Sequence, residues 1–535
     1  MTAGAPGFRT RLRMLAAAGV LLLTACGTPA TQAGPAAPPA AAGGGEGAAP
    51  VVRTASGQVR GTAQDGLRRF RGIPFAAPPV GDRRWRPPQP ATAWTGTRDA
   101  TRSGPVCEQP ASPELPRGTP RSEDCLTLDI TAPAGPATNR PVLVWVPGGG
   151  FLTGAGSIHD PARLVRAGEL VVVTVNYRVG VFGFLAHPDL GRSSNFGLQD
   201  QLAALRWVRA NIARFGGDPG AVTLAGESAG AMSTCSLMTS PAARGLFRRA
   251  IVQSGSCLTG HPAGALGPGV GAVSSWQPIG TVQGTGRALA ERLSCTGVAC
   301  LRKVPADQLL PYTAQFPMVA YGTGLLPAEP AAVFAAGKEA AVPLLQGNTR
   351  DEHVEFALAA YPGGRTAAEY SAALRTAFGA AAPRVERRYP AGDFPSPIAA
   401  LGRVFSDRDW ICPTGESGRL HARTSPTYTY VFADPTAPTT SGRPLPGTVR
   451  PATAHGSELG YLFDFPDGPA LTTEQRALAG QLVGYWARFA RTGDPNGPGA
   501  PAWPRFGAHA TALTFGADSV RTVDLNAAHH CGLWF

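Results

Sequence analysis

Val222-Thr-Leu-Ala-Gly-Glu-Ser-Ala-Gly-Ala-Met-Ser-Thr-Cys-Ser-Leu-Met238 decides the reading of this chain. Val222 to Ala225 has the continuous apolar character of a strand buried on both faces, and Ala231 to Met238 is compatible with a helix. Between them, Gly226-Glu227-Ser228-Ala229-Gly230 predicts a sharp turn, because glycines on both sides of Ser228 accept a strained backbone that leaves no room for a Cβ. Such a turn lifts the Ser228 hydroxyl to the open end of a sheet. It also sets the Ala229 N–H at a helix start, where it can donate to a developing negative oxygen. Gly415-Glu416-Ser417-Gly418 is a near match, but its fifth position is Arg419 and no strand run precedes it, so it is read as a loop.

Outward from that turn the same grammar repeats. Val142 to Val146, Leu170 to Val175 and Ala250 to Gln253 are further apolar runs, and Val342 to Gln346 and Thr427 to Phe432 continue the series. Leu198 to Ala213 carries Leu202, Leu205, Val208 and Ile212 at helical spacing, and Thr473 to Phe489 reads as a long late helix. Strand and helix in alternation imply a mostly parallel sheet covered on both sides. Directly after Val146 stands Pro147-Gly148-Gly149-Gly150-Phe151, whose bare backbone amides can approach an anion from the loop behind an earlier strand. A serine hydroxyl is a weak nucleophile alone, so a base and an orienting acid are required downstream. His261, His353, His421, His455, His509, His529 and His530 all follow Ser228, and composition does not choose among them.

The 535 residues, 43% hydrophobic and 16% charged, suffice for a large core and exclude wholesale disorder. Glycine (68) and proline (52) supply the loops of one large enzyme domain with long excursions rather than a helical bundle. The formal charge is +12, but the arginines are scattered, only Lys303 and Lys338 are lysine, and no basic run interleaves with aromatics, so nucleic acid is not expected as a partner. Residues 51–535 read as one domain, with a semi-independent helical region between about 265 and 420.

Arg9, Arg11 and Arg13 precede an uncharged stretch from Met14 to Ala25, which is the pattern of an export signal and too short to span a bilayer. Leu23-Thr-Ala-Cys26 resembles a bacterial lipobox: residues 1–25 would be removed, at the cost of three positive charges, and Cys26 would carry lipid and anchor the protein to a membrane. Of residues 27–50, 20 of 24 are Ala, Gly or Pro. Segment 26–50 is therefore read as a flexible tether, spanning about 25 Å by random-coil scaling. Cys107, Cys125, Cys235, Cys257, Cys295, Cys300, Cys412 and Cys531 remain, an even number that suits bridges in an exported chain. Arithmetic allows 105 pairings, with Cys295 and Cys300 the favoured local pair. Their spacing, with no Cys-x-x-Cys and no Cys/His cluster, argues against a metal site.

Across residues 55 to 535 the chain resembles the type-B carboxylesterases, the α/β-hydrolase group that includes the cholinesterases. The likeness rests on Gly72 to Ala76 with Pro78 to Gly81, Ser122 to Leu126, Pro147 to Phe151, Asn176-Tyr-Arg178, Asn195 to Asp200, and Phe215-Gly-Gly-Asp-Pro219 leading into Gly226 to Gly230. It continues through Phe247 to Ser256, Asp351-Glu352 and His455-Gly-Ser-Glu458. The resemblance implies an α/β-hydrolase fold with large insertions and carries over Ser228 as nucleophile, Glu352 as acid and His455 as base. Gly149, Gly150 and Ala229 become the oxyanion donors; Ser254 falls where a hydroxyl steadies the acid, and Glu227 flanks the nucleophile as a supporting residue. The likeness also implies bridges Cys107–Cys125, Cys295–Cys300 and Cys412–Cys531, leaving Cys235 with Cys257. It implies no metal and no organic cofactor.

Two departures stand out. Pro147 replaces the usual His or Tyr and removes one backbone N–H from the glycine loop, and His353 follows Glu352 where most relatives have glycine, leaving Asp351 a minor rival as acid. Residues 108 to 124 contain no aromatic, which disfavours the cation–π recognition of choline esters. The sequence therefore predicts an exported serine esterase acting on uncharged short to medium acyl esters. A non-catalytic binding module on the same fold is the rival, although such relatives generally lose the nucleophile; an amidase using the same triad is another, separable only by leaving group.

Overall fold

The computed structural model describes residues 49–535 apart from Ala137 and Asp467. The expected export signal, Cys26 and nearly all of the tether lie outside the described residues. Among the described residues no helix is long and apolar enough to cross a membrane.

Eleven strands form the central sheet: β1 (Thr62–Gln64), β2 (Leu67–Pro74), β3 (Thr127–Pro133), β4 (Arg140–Val146), β5 (Val171–Val175), β6 (Gly217–Glu227), β7 (Arg249–Gln253), β8 (Leu344–Thr349), β9 (Thr427–Ala433), β10 (Thr511–Gly516) and β11 (Val520–Asp524). Their spatial order is 1-2-3-5-4-6-7-8-9-10-11. The run from β5 to β10 is parallel, as the unbroken apolar stretches predict, while β1, β2 and β3 at one edge and β11 at the other pair antiparallel. Every residue of β4 and β5 is buried, which is why neither shows the alternation of a one-sided strand.

Helices cover both faces. On one lie α1 (Phe196–Asn211) and the fully buried α2 (Ala229–Thr239), packed with Val142, Val144, Val222 and Leu224. Further along come α3 (Pro397–Phe405) and α4 (Cys412–His421), joined without a break by a π-helical turn, Ser406–Ile411. On the opposite face lies α5 (Thr473–Thr492), started by a reciprocal Thr472–Gln475 capping box and stopped by Gly493 at φ +83°. Its Tyr485, Trp486 and Phe489 pack with Tyr430, Trp503 and Phe515, each fully buried aromatic contributing about 2 to 3 kcal/mol.

The segment Gly415 to Gly418, expected as a loop, is helical within α4. Glycine is a poor helix former, which misleads a local reading. Here it is required by packing: a Cβ on Gly418 would lie 2.3 Å from Gln346 Nε2, and one on Gly415 would lie 2.9 Å from Leu525. Ser417 is buried and donates to Thr414 O at 3.0 Å. The helical region after residue 265 builds its own apolar cluster around Val354, Tyr370, Leu401 and Phe405.

The Asn176-Tyr-Arg178 and Asn195 to Asp200 segments meet where a buried Arg178 grips Asp200 through Nε (2.8 Å) and Nη2 (2.6 Å), joining the loop after β5 to α1. All four expected bridges are present: Cys107–Cys125, Cys235–Cys257, Cys295–Cys300 and Cys412–Cys531. The last closes a separation of 119 residues and the third a separation of only 5. Loop-closure entropy predicts that removing Cys412–Cys531 by paired serine substitution costs about 4 to 5 kcal/mol, against about 2 kcal/mol for Cys295–Cys300. Denaturant unfolding of the two double variants checks that order; equal losses would contradict it.

Candidate active site

Ser228 stands between the last residue of β6 and the first of α2, at φ +54° and ψ −121°. A Cβ on Gly226 would come within 2.4 Å of the Gly230 backbone, and one on Gly230 within 2.0 Å of the Val146 carbonyl. The two glycines thus let the turn press onto the end of β4. Glu227 and Ala229 are buried while Ser228 is partly exposed, so the hydroxyl faces solvent from a rigid base. Gly148, Gly149 and Gly150 follow β4 after Pro147, the latter two at φ +109° and +63°. Among the described residues, the amides of Gly149, Gly150 and Ala229 donate no hydrogen bond. That leaves three donors at the strand ends where a carbonyl oxygen can be received. Tyr177 donates to the Pro147 carbonyl at 2.9 Å and steadies the start of the glycine loop.

Glu352 lies in the turn after β8, fully buried. Its Oε1 accepts the Thr349 amide at 2.8 Å, and its Oε2 accepts from His455 Nδ1 at 2.5 Å. Asp351 faces elsewhere: it accepts from Arg403 Nη2 (2.5 Å), Arg350 Nε (2.9 Å) and the Thr453 amide (2.8 Å), pinning the segment before His455 to α3. The hydroxyl of Ser254, expected to steady the acid, does not do so. Ser254 sits at φ +50°, its amide donates to Gly347 O at 2.7 Å, and its buried Oγ makes no hydrogen bond with any described residue. Glu352 is steadied by its own loop backbone instead. No hydrogen bond joins Ser228 Oγ to His455, a contact that in unliganded sites often tightens only with substrate.

Further groups surround His455: Glu227, expected as a supporting residue, and Glu458, within the His455-Gly-Ser-Glu458 match, are joined by Trp410 and Phe356, which carry no local sequence signal. Glu227 Oε1 lies 3.3 Å from Nε2, and its packing explains Gly148, where a Cβ would come 2.6 Å from Glu227 Oε2. Glu458, three residues beyond the histidine, is fully buried and accepts from Gln253 Nε2 (3.1 Å) and Tyr430 OH (3.3 Å). Trp410 and Phe356 set their rings 4.9 and 5.2 Å from the imidazole. Glu114, from the Cys107–Cys125 loop, accepts from Thr440 at 3.2 Å and adds negative charge near Glu227.

Burial pushes the Glu227 carboxyl well above its ordinary range, and burial with the nearby Glu352 charge brings Glu458 to about 7. Burial alone would lower His455, but Glu227, Glu352 and Glu458 outweigh it and favour its cationic form. The arrangement favours the imidazolium that forms when the histidine takes up a proton.

His261, His353 and Asp409 bring three potential ligand atoms within 4.8 Å of one another, a grouping that spacing in the sequence does not reveal. Hydrogen bonding closes it to a metal. His353 Nε2 donates to Ala265 O at 2.9 Å, and the Nδ1 lone pair is taken by the Trp410 indole N–H at 3.2 Å.

A family model described as the carboxylesterase family matches residues 48–534. The para-nitrobenzyl esterase of Bacillus subtilis (strain 168) is 35% identical, over 85% of this chain and 92% of its own. The fumonisin B1 esterase of Sphingopyxis macrogoltabida is 36% identical over 87% and 86%, and a cocaine esterase of Oryctolagus cuniculus 35% identical over 86% and 90%. Among solved structures, a thermophilic PNB esterase superposes with a TM-score of 0.76 at 31% identity, covering 91% of this chain and 99% of its own. The chain belongs to the carboxylesterase family and has its α/β-hydrolase fold. By class it is a carboxylic ester hydrolase.

Replacing Glu227 by glutamine removes the negative neighbour at Nε2 and so lowers the pKa of His455. A base is lost as pH falls through its pKa, so the acid limb of kcat/KM for a 4-nitrophenyl ester moves to lower pH in Glu227→Gln. A limb that stays in place would show that Glu227 does not set the protonation of His455.

Proposed function

We propose that this chain is a serine esterase working through Ser228, His455 and Glu352. Ser228 Oγ attacks the ester carbonyl as His455 Nε2 takes its proton, and Glu352 orients the ring and balances the imidazolium. The Gly149, Gly150 and Ala229 amides receive the oxyanion. His455 then returns its proton to the leaving alcohol, and water, activated by the same imidazole, releases the acid from the acyl-enzyme. The observation that carries this reading is the 2.5 Å contact between His455 Nδ1 and the buried Glu352, which commits Nδ1 to the acid and leaves Nε2 as the nitrogen that exchanges a proton. The nearby left-handed Ser228 and the three undonated amides support it.

Uncharged short to medium acyl esters are the proposed substrates. The aromatic-free loop from 108 to 124 supports that choice over quaternary ammonium esters, and the names of the relatives support ester chemistry generally. The proposal includes export and a lipid anchor on Cys26, supported by the Leu23 to Cys26 segment and by four disulfides, which persist in oxidising compartments.

Hydrolysis of 4-nitrophenyl esters from acetate to palmitate by the full chain is expected to favour the shorter acyl groups. Ser228→Ala should lower kcat by about 10⁴-fold or more. No turnover of any chain length by folded wild type would overturn the esterase reading in favour of a binding module. Cys26→Ser should move the protein from the membrane fraction to the soluble one; unchanged partition would refute the anchor.

A further inference from the structure

Between α3 and α4 the six residues Ser406–Ile411 form a π-helical turn, a rare widening often found at functional sites. Two of its carboxylates are held by partners from distant parts of the chain. Asp407 accepts from Tyr389 OH at 2.8 Å and pairs with His529 Nδ1 at 2.7 Å, while Asp409 pairs with His261 Nδ1 at 3.0 Å. Trp410 is the residue on this turn that reaches the proposed base. Its ring lies 4.9 Å from the His455 ring and stacks on Phe356 at 5.7 Å and 19°.

His353 anchors Trp410. It is fully buried, and its backbone amide donates to Ser406 Oγ at 2.9 Å, the first residue of the π turn. With Nε2 donating to Ala265 O, Nδ1 must be the bare nitrogen, and that lone pair receives the Trp410 indole N–H. Burial also drives the His353 pKa down to about 4, keeping the acceptor neutral in ordinary buffers. Two adjacent residues thus address one imidazole: Glu352 holds His455 by its Nδ1 edge, and His353 governs the aromatic ring beside it.

We propose that His353 is a positioning residue of the active site, which by accepting the indole N–H of Trp410 keeps that ring packed against His455. The inference rests on the reading of His455 as general base. An aromatic ring so placed limits rotation of the imidazole, keeps water from it and favours its cationic form through the negative π face. The charged neighbours of His455, namely Glu227, Glu352, Glu355 and Glu458, are left untouched by changes at 353 and 410. The titratable groups facing His353 are Asp409, His261 and His455 itself; the first two are likewise untouched, and His353, held neutral by burial, adds no charge of its own beside His455.

The test uses the full chain with four variants: His353→Leu, His353→Asn, Trp410→Phe, and His353→Leu with Trp410→Phe. Leucine leaves a buried indole donor without an acceptor and should lower kcat about tenfold with little change in KM. Asparagine, whose Oδ1 can accept near the Nδ1 position, should recover most of that loss. With phenylalanine at 410 there is no donor to satisfy, so adding His353→Leu should cost little more. The acid limb of kcat/KM should move to lower pH in His353→Leu and Trp410→Phe alike. Losses that add in the double variant, an asparagine no better than leucine, or an unmoved acid limb would overturn the proposal. Should His353→Leu fail to fold, His353→Asn and Trp410→Phe decide it, since unchanged kcat and pH profile in Trp410→Phe also overturn it. Wild-type hydrolysis abolished by Ser228→Ala, together with a His353→Leu whose kcat and acid limb match the wild type, would reject this inference alone. Absence of that hydrolysis would reject the esterase reading beneath it.

Discussion

Where β6 passes into α2, the backbone approaches the end of β4 so closely that a single methyl group on Gly230 would meet the Val146 carbonyl at 2.0 Å. The nucleophile's half of the site is built around that contact. In the same turn Ser228 sits at φ +54°, and the first amide of α2 has no acceptor among the described residues. The contact also brings the glycine loop after β4 alongside the same spot, so two segments distant in sequence present their free N–H groups together. The parallel order of β4, β6, β7 and β8 then delivers the remaining parts, since the loops that carry Ser228 and Glu352 leave the sheet at the same end.

The second theme is buried charge held in check. Glu227, Glu352 and Glu458 surround one imidazole inside the protein, where three full negative charges would be costly. Burial resolves this by pushing Glu227 and Glu458 toward protonation while the histidine is drawn toward its cation. Other buried charges are paired: Arg178 with Asp200, and Asp407 with His529 and Tyr389. In each case the pair joins segments from different parts of the chain: the loop after β5 to α1, and the π-helical turn to Tyr389 and His529.

How much of this was legible in the sequence depended on range. The parallel strands could be read because burial on both faces writes an unbroken apolar run, as in Val142 to Val146. The edges could not: β1 and β11 are short and half exposed, so Thr62 to Gln64 and Val520 to Asp524 carry no comparable pattern. Ser228 and the glycine loop were visible because a steric demand fixes residue types within a few positions. Glu352 and His455 were reached only through family resemblance, for nothing near either residue states that they touch. Trp410 left no trace at all, since its role arises from a helical turn meeting a loop at a distance. Ser254 and the Gly415 to Gly418 segment went the other way: a motif and a propensity each suggested something that packing and hydrogen bonding decided differently.

The turn that carries Trp410 is moored to residues that are made late. Asp407 is held by His529, and Cys412, just beyond the turn, by Cys531. During synthesis, Ser228, Glu352 and His455 all leave the ribosome well before either mooring point. The surroundings of the imidazole are therefore completed only after the whole sheet has been translated, and the order of synthesis keeps the reactive centre unfinished until the rest of the domain exists to contain it.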